Sequence, residues 1–341
     1  MRDTIIRRLA RRALASALVA AALSGGLTSR ALAGDTLLNV SYDPTRELYK
    51  AVGEKFAAQW AQQSGQKLEI KQSHGGSGTQ ARAVIDGLDA DVVTLALWPD
   101  VDAIRKADLI SSGWESRLPN NSIPYTSTII FAVRKGNPKG IKDWPDLIKP
   151  GVEVVTPSPK TSGNGKLSFL AAWGSVTERG GTAEQAKEFV SQLYQHAPVL
   201  DSGARGSTIT FAEKGIGDVH LTWENEAHLE ANEHPGEIEL IYPPISFKAE
   251  PPVAVVDANT RRKGTTEAAT AYLRYLFTAD GQEIGAQNFY RPTDPAALQR
   301  HAADFPSLTL FPITAVAKDW NDATAKYFSD GAIFDSIYGK K

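Results

Sequence analysis

The segment Leu37–Leu48, LLNVSYDPTREL, carries the chain from a strand into a helix. Leu37 to Tyr42 is a short apolar strand signal. Asp43 stands at an N-cap position, and Pro44 sits where a first helical turn tolerates it. Leu48, Val52, Phe56 and Trp60 then recur every four residues up to Ser64-Gly65, which predicts an amphipathic helix. The same order repeats downstream. Lys67 to Gln72 reads as a strand, His74-Gly75-Gly76-Ser77-Gly78 as a glycine-rich loop, and Thr79 to Leu88 as a helix. Asp91 to Leu97 reads as a buried strand and Pro99 to Ala107 as a helix. Strands alternating with helices predict an α/β architecture.

Two β-rich segments, Tyr125 to Arg134 and Pro251 to Asp257, read as crossings between two lobes. Between them the pattern predicts a strand at Val152 to Thr156, a helix after Ser162, a helix at Ala183 to Gln195 and a strand at Asp218 to Trp223. Beyond them Thr265 to Phe277 and Gly281 to Phe289 read as helices. This assigns residues 34–124 and 251–341 to the first lobe and 125–250 to the second, joined as a hinged clamshell by two strands. Ligands in such sheets sit beyond the strand C-termini, where helix N-termini converge.

Composition narrows the function. The chain has 341 residues, 42% apolar and 22% charged, enough for two lobes with their own cores. It has no Cys, which excludes disulfides, thiolate metal sites and Cys nucleophiles. Lys+Arg 37 against Asp+Glu 39 gives a formal charge of −2, so no broad basic field points to nucleic acid. Residues 1–33 read as a cleavable export signal. Arg2, Arg7, Arg8, Arg11 and Arg12 make a basic start, Ala13 to Leu23 an apolar run, and Ala31-Leu32-Ala33 a cleavage pattern. The apolar run has about half the ~20 residues that span a bilayer. Removing this segment takes away six Arg and one Asp and leaves a soluble, exported chain with a net charge near −7. The paired arginines leave the route of export open.

Three segments share one design, a strand end followed by Ser, Gly or Asp and then a helix start: Ser41–Glu47, Ser73–Thr79 and Ser158–Gly165. A helix start leaves about four N–H groups unpaired and carries roughly half a positive charge. Glycine lets an anion approach the backbone closely. Together the three predict an anion site spanning the hinge. A hydrolase elbow, Gly-x-Ser-x-Gly, fails because Thr79 takes the last position. The phosphate loop fails because Leu167 follows Gly165-Lys166. His228 and His234 among Glu224, Glu226, Glu230 and Glu233 match no metal-ligand spacing and read as a solvated acidic helix face.

These loops resemble a known family, the periplasmic sulfate-binding proteins, which are the solute receptors of sulfate/thiosulfate ABC transporters. The matching text includes LLNVSYDPTREL (37–48), SHGGSG (73–78), VTLAL (93–97), PYTSTI (124–129), VRKGNPK (133–139), VLDSGARGST (199–208), WENEA (223–227) and NFYRP (288–292). The resemblance implies a type II two-lobe clamshell, each lobe a mixed sheet flanked by helices, that closes over a dehydrated sulfate. It implies seven neutral donors: the backbone N–H groups of Asp43, Ser77, Gly163, Asn164 and Ala204, the Ser162 hydroxyl and the Trp223 indole N–H. Asn164 stands where the resemblance leads one to expect a second glycine. Arg205 is implied to stand behind the donors rather than touch the anion. The implied partners are sulfate and the membrane permease of an ABC transporter, with no cofactor, no metal and no nucleic acid, and the receptor is expected to be a monomer in the periplasm.

The chemistry fits that implication. Sulfate is dianionic at neutral pH and has no proton to donate, so a site made only of donors satisfies it. Protonated phosphate brings an O–H that would go unpaired, at about 1–3 kcal/mol. Indole N–H is donor-only, which suits Trp223 to this role. Thiosulfate, also a tetrahedral dianion, is the alternative ligand. A secreted sulfate-ester hydrolase is the alternative of a different class, and the segments lining the cleft offer it no acid/base pair or metal.

Overall fold

The strand–helix alternation resolves into two sheets, each with its own helices. The structure, a computed structural model, describes residues 36–338. The export signal expected over 1–33 lies outside the described residues. The strands in chain order are β1 (Thr36–Tyr42), β2 (Glu69–Gly75), β3 (Val92–Thr94), β4 (Tyr125–Thr126), β5 (Ile129–Arg134), β6 (Val154–Pro157), β7 (Leu200–Asp201), β8 (Val219–Trp223), β9 (Ile238–Ile241), β10 (Ile245–Phe247), β11 (Val253–Val255), β12 (Arg291–Pro292) and β13 (Thr309–Phe311).

The first sheet has the order β11-β3-β1-β2. β1 runs parallel to both neighbours, with Val40 opposite Ser73 and Val93, and β11 is antiparallel to β3. One face packs Leu37, Val52 and Phe56 against Tyr272 and Leu273. The other packs Val40 and Val93 against Ala81, Val84 and Ile104. Helix α1 (Arg46–Ser64) follows the predicted four-residue period and ends at Gly65, whose φ of 71° is the left-handed conformation glycine adopts without strain.

The second sheet has the order β7-β6-β8-β5-β9. β6 is parallel to β7 and β8, while β5 is antiparallel to β8 and β9. Helices Gly163–Thr177 and Ala183–Gln195 cover one face, and Phe211, Ala227 and Ile238 fill the other.

Two expectations need correction. The crossing at Tyr125 to Arg134 is not one strand. It breaks at Ser127-Thr128, where Ser127 bridges Ala249 and the Thr128 hydroxyl donates to the Phe247 carbonyl at 2.9 Å. The two connections therefore lie side by side. The C-terminal part of residues 251–341 was expected with the first sheet, but the described residues from Thr309 onward pack on the second. β13 pairs with β10, and Tyr327, Phe328 and Phe334 pack against Phe169, Trp173 and Tyr194. The physical reason is the helix Gly163–Thr177, which is buried almost all round. Phe169 and Trp173 need an apolar cover that the sheet alone does not give. The chain consequently crosses between the sheets a third time, between β12 and β13. Among the described residues no helix is long and apolar enough to cross a membrane.

Candidate functional site

The strands that run parallel in each sheet end at one cleft. β1 leads into the 3-10 turn Asp43–Thr45. β2 leads into helix α2 (Ser77–Ile85). β6 leads through the loop 158–162 into helix α3 (Gly163–Thr177), and β7 into helix α4 (Ala204–Thr208). β8 ends at Trp223, where helix α5 (Glu224–Glu233) begins. All seven residues expected to hold the anion line this cleft, together with Tyr42, Pro44, Gly75 and Gly76, around about 160 Å³ of space not filled by atoms.

Local geometry orients the donors. Ser77, Gly163, Asn164 and Ala204 occupy first turns, where a backbone N–H has no carbonyl within its own helix. The Ser162 hydroxyl caps α3 by accepting from Gly165 N–H at 3.4 Å, which leaves its own hydrogen to donate. Asn164 does not need glycine's conformations, since it lies outside the set of residues with positive φ. Its Nδ2 donates to the Leu221 carbonyl at 3.1 Å and ties the loop to β8. Trp223 is fully buried, its ring 5.2 Å from that of Tyr42. Its Nε1–H has no hydrogen-bond partner among the described residues. A buried donor-only group of this kind fits an acceptor in the cleft.

The lobes touch across the cleft. A Cβ on Gly163 would stand 2.6 Å from Ala96 Cβ and 3.5 Å from Ser77 Cβ, and one on Gly76 would stand 2.8 Å from the Thr161 carbonyl. These two glycines are explained by close approach between lobes, not by a turn. Asn225 Nδ2 of the second lobe and the Tyr290 hydroxyl of the first both donate to the Pro44 carbonyl, at 2.9 and 2.8 Å.

The charged neighbours are paired outside the donor set. Asp43 does not act as the expected N-cap: its carboxylate pairs with Arg46 at 2.8 Å and faces Gly203. The Ser77 hydroxyl donates to Asp100 and accepts from Ala96 N–H at 3.0 Å. His74 holds Gln72 Oε1 at 2.8 Å and the Tyr42 carbonyl at 3.2 Å. Burial lowers its pKa. Arg205 does not line the cleft; it lies 3.4 Å from Glu47 and 3.6 Å from Glu226.

The acidic run of α5 is not a solvated face. Glu224, Glu226 and Glu230 are fully buried. Arg291 clamps Glu224 with two bonds of 2.7 Å, and burial still raises the Glu224 pKa. The local pattern hides this because Arg291 and Arg205, which meet Glu224 and Glu226, lie outside this strand and helix. Asn225, Tyr290 and Arg291 lie in the strings WENEA and NFYRP, yet nothing local to those strings assigned them a role. Among the described residues no group of three His, Asp or Glu is arranged to hold a metal.

The model of the family described as bacterial extracellular solute-binding protein matches residues 45–291. The chain is 54% identical over 303 residues to the sulfate-binding protein of Escherichia coli K12, covering 88% of this chain and 92% of that one. It is 48% identical over 330 residues to the thiosulfate-binding protein of Pseudomonas aeruginosa, covering 96% and 99%. The solved structure of the sulfate-binding protein SubI from Mycobacterium tuberculosis H37Rv superposes with a TM-score of 0.79 at 32% identity, over 86% of this chain and 99% of that one. With a type II two-lobe fold, a cleft at its strand ends and these relatives, the chain belongs to the bacterial extracellular solute-binding proteins.

Proposed function

We propose that this protein is a periplasmic receptor that captures sulfate between its two lobes and delivers it to the membrane permease of an ABC transporter. The observation that carries the reading is Trp223, a fully buried indole N–H without an acceptor among the described residues, set among four helix starts that turn further donors toward the same cleft. Asp43, Ser77, Ser162, Gly163, Asn164, Ala204 and Trp223 hold the anion, and none of the donor groups is charged. The selectivity follows from the inventory, because a donor-only site leaves a protonated oxyanion with an unpaired O–H.

In this reading residues 1–33 direct export and are removed. The lobes close about the paired connections near Ser127 and Ala249, bringing Asp43 and Ser77 against the donors of the second lobe. Oriented dipoles in a closed, water-poor cleft stabilise the dianion without a counter-ion. Thiosulfate is the second reading, favoured by the relative that carries that name at 48% identity.

The test is calorimetric titration of anion-free protein with sulfate, thiosulfate, molybdate and phosphate in one buffer. Tight binding of sulfate with rejection of phosphate at neutral pH is expected. Equal binding of phosphate and sulfate would overturn the donor-only site.

A further inference from the structure

Behind the Ala204 end of the cleft lies a buried set of ionisable side chains that anion capture leaves unused. Glu226 and Glu230 of α5 and His220 of β8 are fully buried. The Thr208 hydroxyl lies 3.1 Å from Glu226 Oε2 and 3.0 Å from Glu230 Oε1. That hydroxyl has one hydrogen to donate. Two ionised carboxylates cannot both be satisfied by it, whereas one proton on the pair, donated back to the Thr208 oxygen, satisfies both contacts. His220 Nδ1 reaches into the same set, 2.8 Å from Glu230 Oε1. Glu226 Oε1, Glu230 Oε2 and His220 Nε2 have no hydrogen-bond partner among the described residues.

We propose that Glu226 and Glu230 form a proton-binding site coupled to the anion cleft, so that capture of the dianion is accompanied by uptake of a proton. The inference rests on the sulfate reading above. The coupling is short. Thr208 Oγ1 lies 3.4 Å from the carbonyl of Ala204, a donor residue, and Arg205, the next residue, lies 3.6 Å from Glu226 Oε1. A carboxylate and a bound dianion repel each other in a poorly screened interior. Protonating the pair therefore favours the anion, and the anion favours the proton by the same factor. Burial, opposed by Arg205 and reinforced by Glu230 and Glu47, pushes Glu226 up to about 7, so the site changes state near neutral pH.

The other charged groups facing this set come from every element around it. Arg205 answers to Glu47 of α1, to Glu233 of α5 and to Asp43. Arg134 of β5 feels Glu230, and Tyr290 feels Glu226. Asp201 accepts from the hydroxyls of Ser207 and Thr210 on either side of Thr208. His74 is the other titratable ring beside the cleft and is the control.

The test is titration of the whole mature chain, without residues 1–33, with sulfate at pH 6, 7 and 8, in two buffers of different ionisation enthalpy. Sulfate carries no proton over this range, so a proton exchanged belongs to the protein. Uptake of roughly half a proton per sulfate is expected at pH 7. Affinity should be about five- to tenfold higher at pH 6 than at pH 8. Glu226→Gln should abolish both effects, and His74→Gln should leave both. Glu230→Gln should shift the midpoint to lower pH, because it removes a neighbouring negative charge. If wild-type protein binds sulfate equally at all three pH values and exchanges no proton, the coupling is wrong while the receptor reading stands. Uptake that persists in Glu226→Gln and is lost in His74→Gln also overturns the coupling. Absence of sulfate binding at every pH overturns the receptor reading and the coupling with it.

Discussion

The first lobe meets the cleft with backbone and the second with backbone and side chains. On the first, the Asp43 carboxylate is held by Arg46, and the Ser77 hydroxyl is shared between Asp100 and the Ala96 N–H, which leaves main-chain N–H groups for a ligand. On the second, Ser162 and Trp223 bring side-chain donors, and Gly163, Asn164 and Ala204 bring N–H groups. Ser77 and Ser162 stand at helix starts with nearly the same local sequence, Gly-Ser-Gly and Thr-Ser-Gly. What separates them is position and partner: Ser162 is the N-cap of its helix, whereas Ser77 is the first helical residue after Gly76 and has Asp100 behind it. A loop pattern therefore predicts where donors gather and does not predict which atoms of a residue are free to donate.

The comparison breaks most sharply if the lobes are kept from meeting. In Gly163→Ala the new Cβ would fall 2.6 Å from Ala96 Cβ of the opposite lobe. Blocked closure forfeits both first-lobe donors, about 3–6 kcal/mol at about 1.5–3 kcal/mol each. Sulfate affinity should drop by about a hundredfold or more, while the melting temperature without anion changes little. Calorimetry with thermal unfolding of the anion-free protein checks both. Binding within a few-fold of wild type would show that the lobes do not close as tightly as described.

The side-chain donors come next. Trp223→Phe keeps most of the ring packing on Tyr42 and deletes the N–H, so sulfate binding should weaken about ten- to a hundredfold. Ser162→Ala should weaken it similarly and, by removing a long cap bond, destabilise the protein by no more than about 1 kcal/mol. Ser77→Ala should behave in the opposite way. It strips the buried Asp100 of its hydroxyl donor, at about 1–3 kcal/mol of stability, and leaves the Ser77 N–H in place. Melting curves beside titrations of the three variants sort them. If Ser77→Ala loses binding without losing stability, the asymmetry between the lobes is wrong.

Much of the fold could be read locally. The α1 period and its Ser64-Gly65 end, the helix at Ala183–Gln195 and the strand ending at Trp223 all follow from patterns within a few residues. The misreadings share one cause, a partner far along the chain. Tyr125 to Arg134 looks continuous because the break at Ser127 is set by Ala249. The order of the segments puts the chain from Thr309 onward with the first sheet, whereas Phe169 and Trp173 fix its place on the second. The acids of α5 look exposed until Arg291 and Arg205 fold onto them. The site divides the same way. Three helix starts were visible in the loops themselves, but Ala204 and Trp223 entered only through the family resemblance. Neither residue carries a chemical signal that its neighbours in sequence make specific.

Arg205 carries the smallest expected effect and tests the division between neutral donors and the charges behind them. It is the only arginine in the string SGARG, beside the donor Ala204, and a direct ion pair with sulfate would be the simplest use for it. The structure gives it two carboxylates instead, Glu47 of the first lobe and Glu226 of the second, at 3.4 and 3.6 Å. Both contacts are long, and Glu47 is half exposed, so the bond across the lobes contributes little in solvent. Arg205→Gln should weaken sulfate binding by about three- to fivefold through a looser contact between lobes, a loss partly offset by Glu226, whose pKa Arg205 holds down. Without that cation Glu226 keeps its proton to higher pH, so the loss should be smaller at pH 8 than the removal of a direct ligand would give. Inert chloride should change the wild-type affinity only slightly, because no exposed cation holds the anion. A hundredfold loss in Arg205→Gln, together with a steep fall of wild-type affinity in salt, would make the guanidinium the primary ligand and end the case for a site of neutral dipoles.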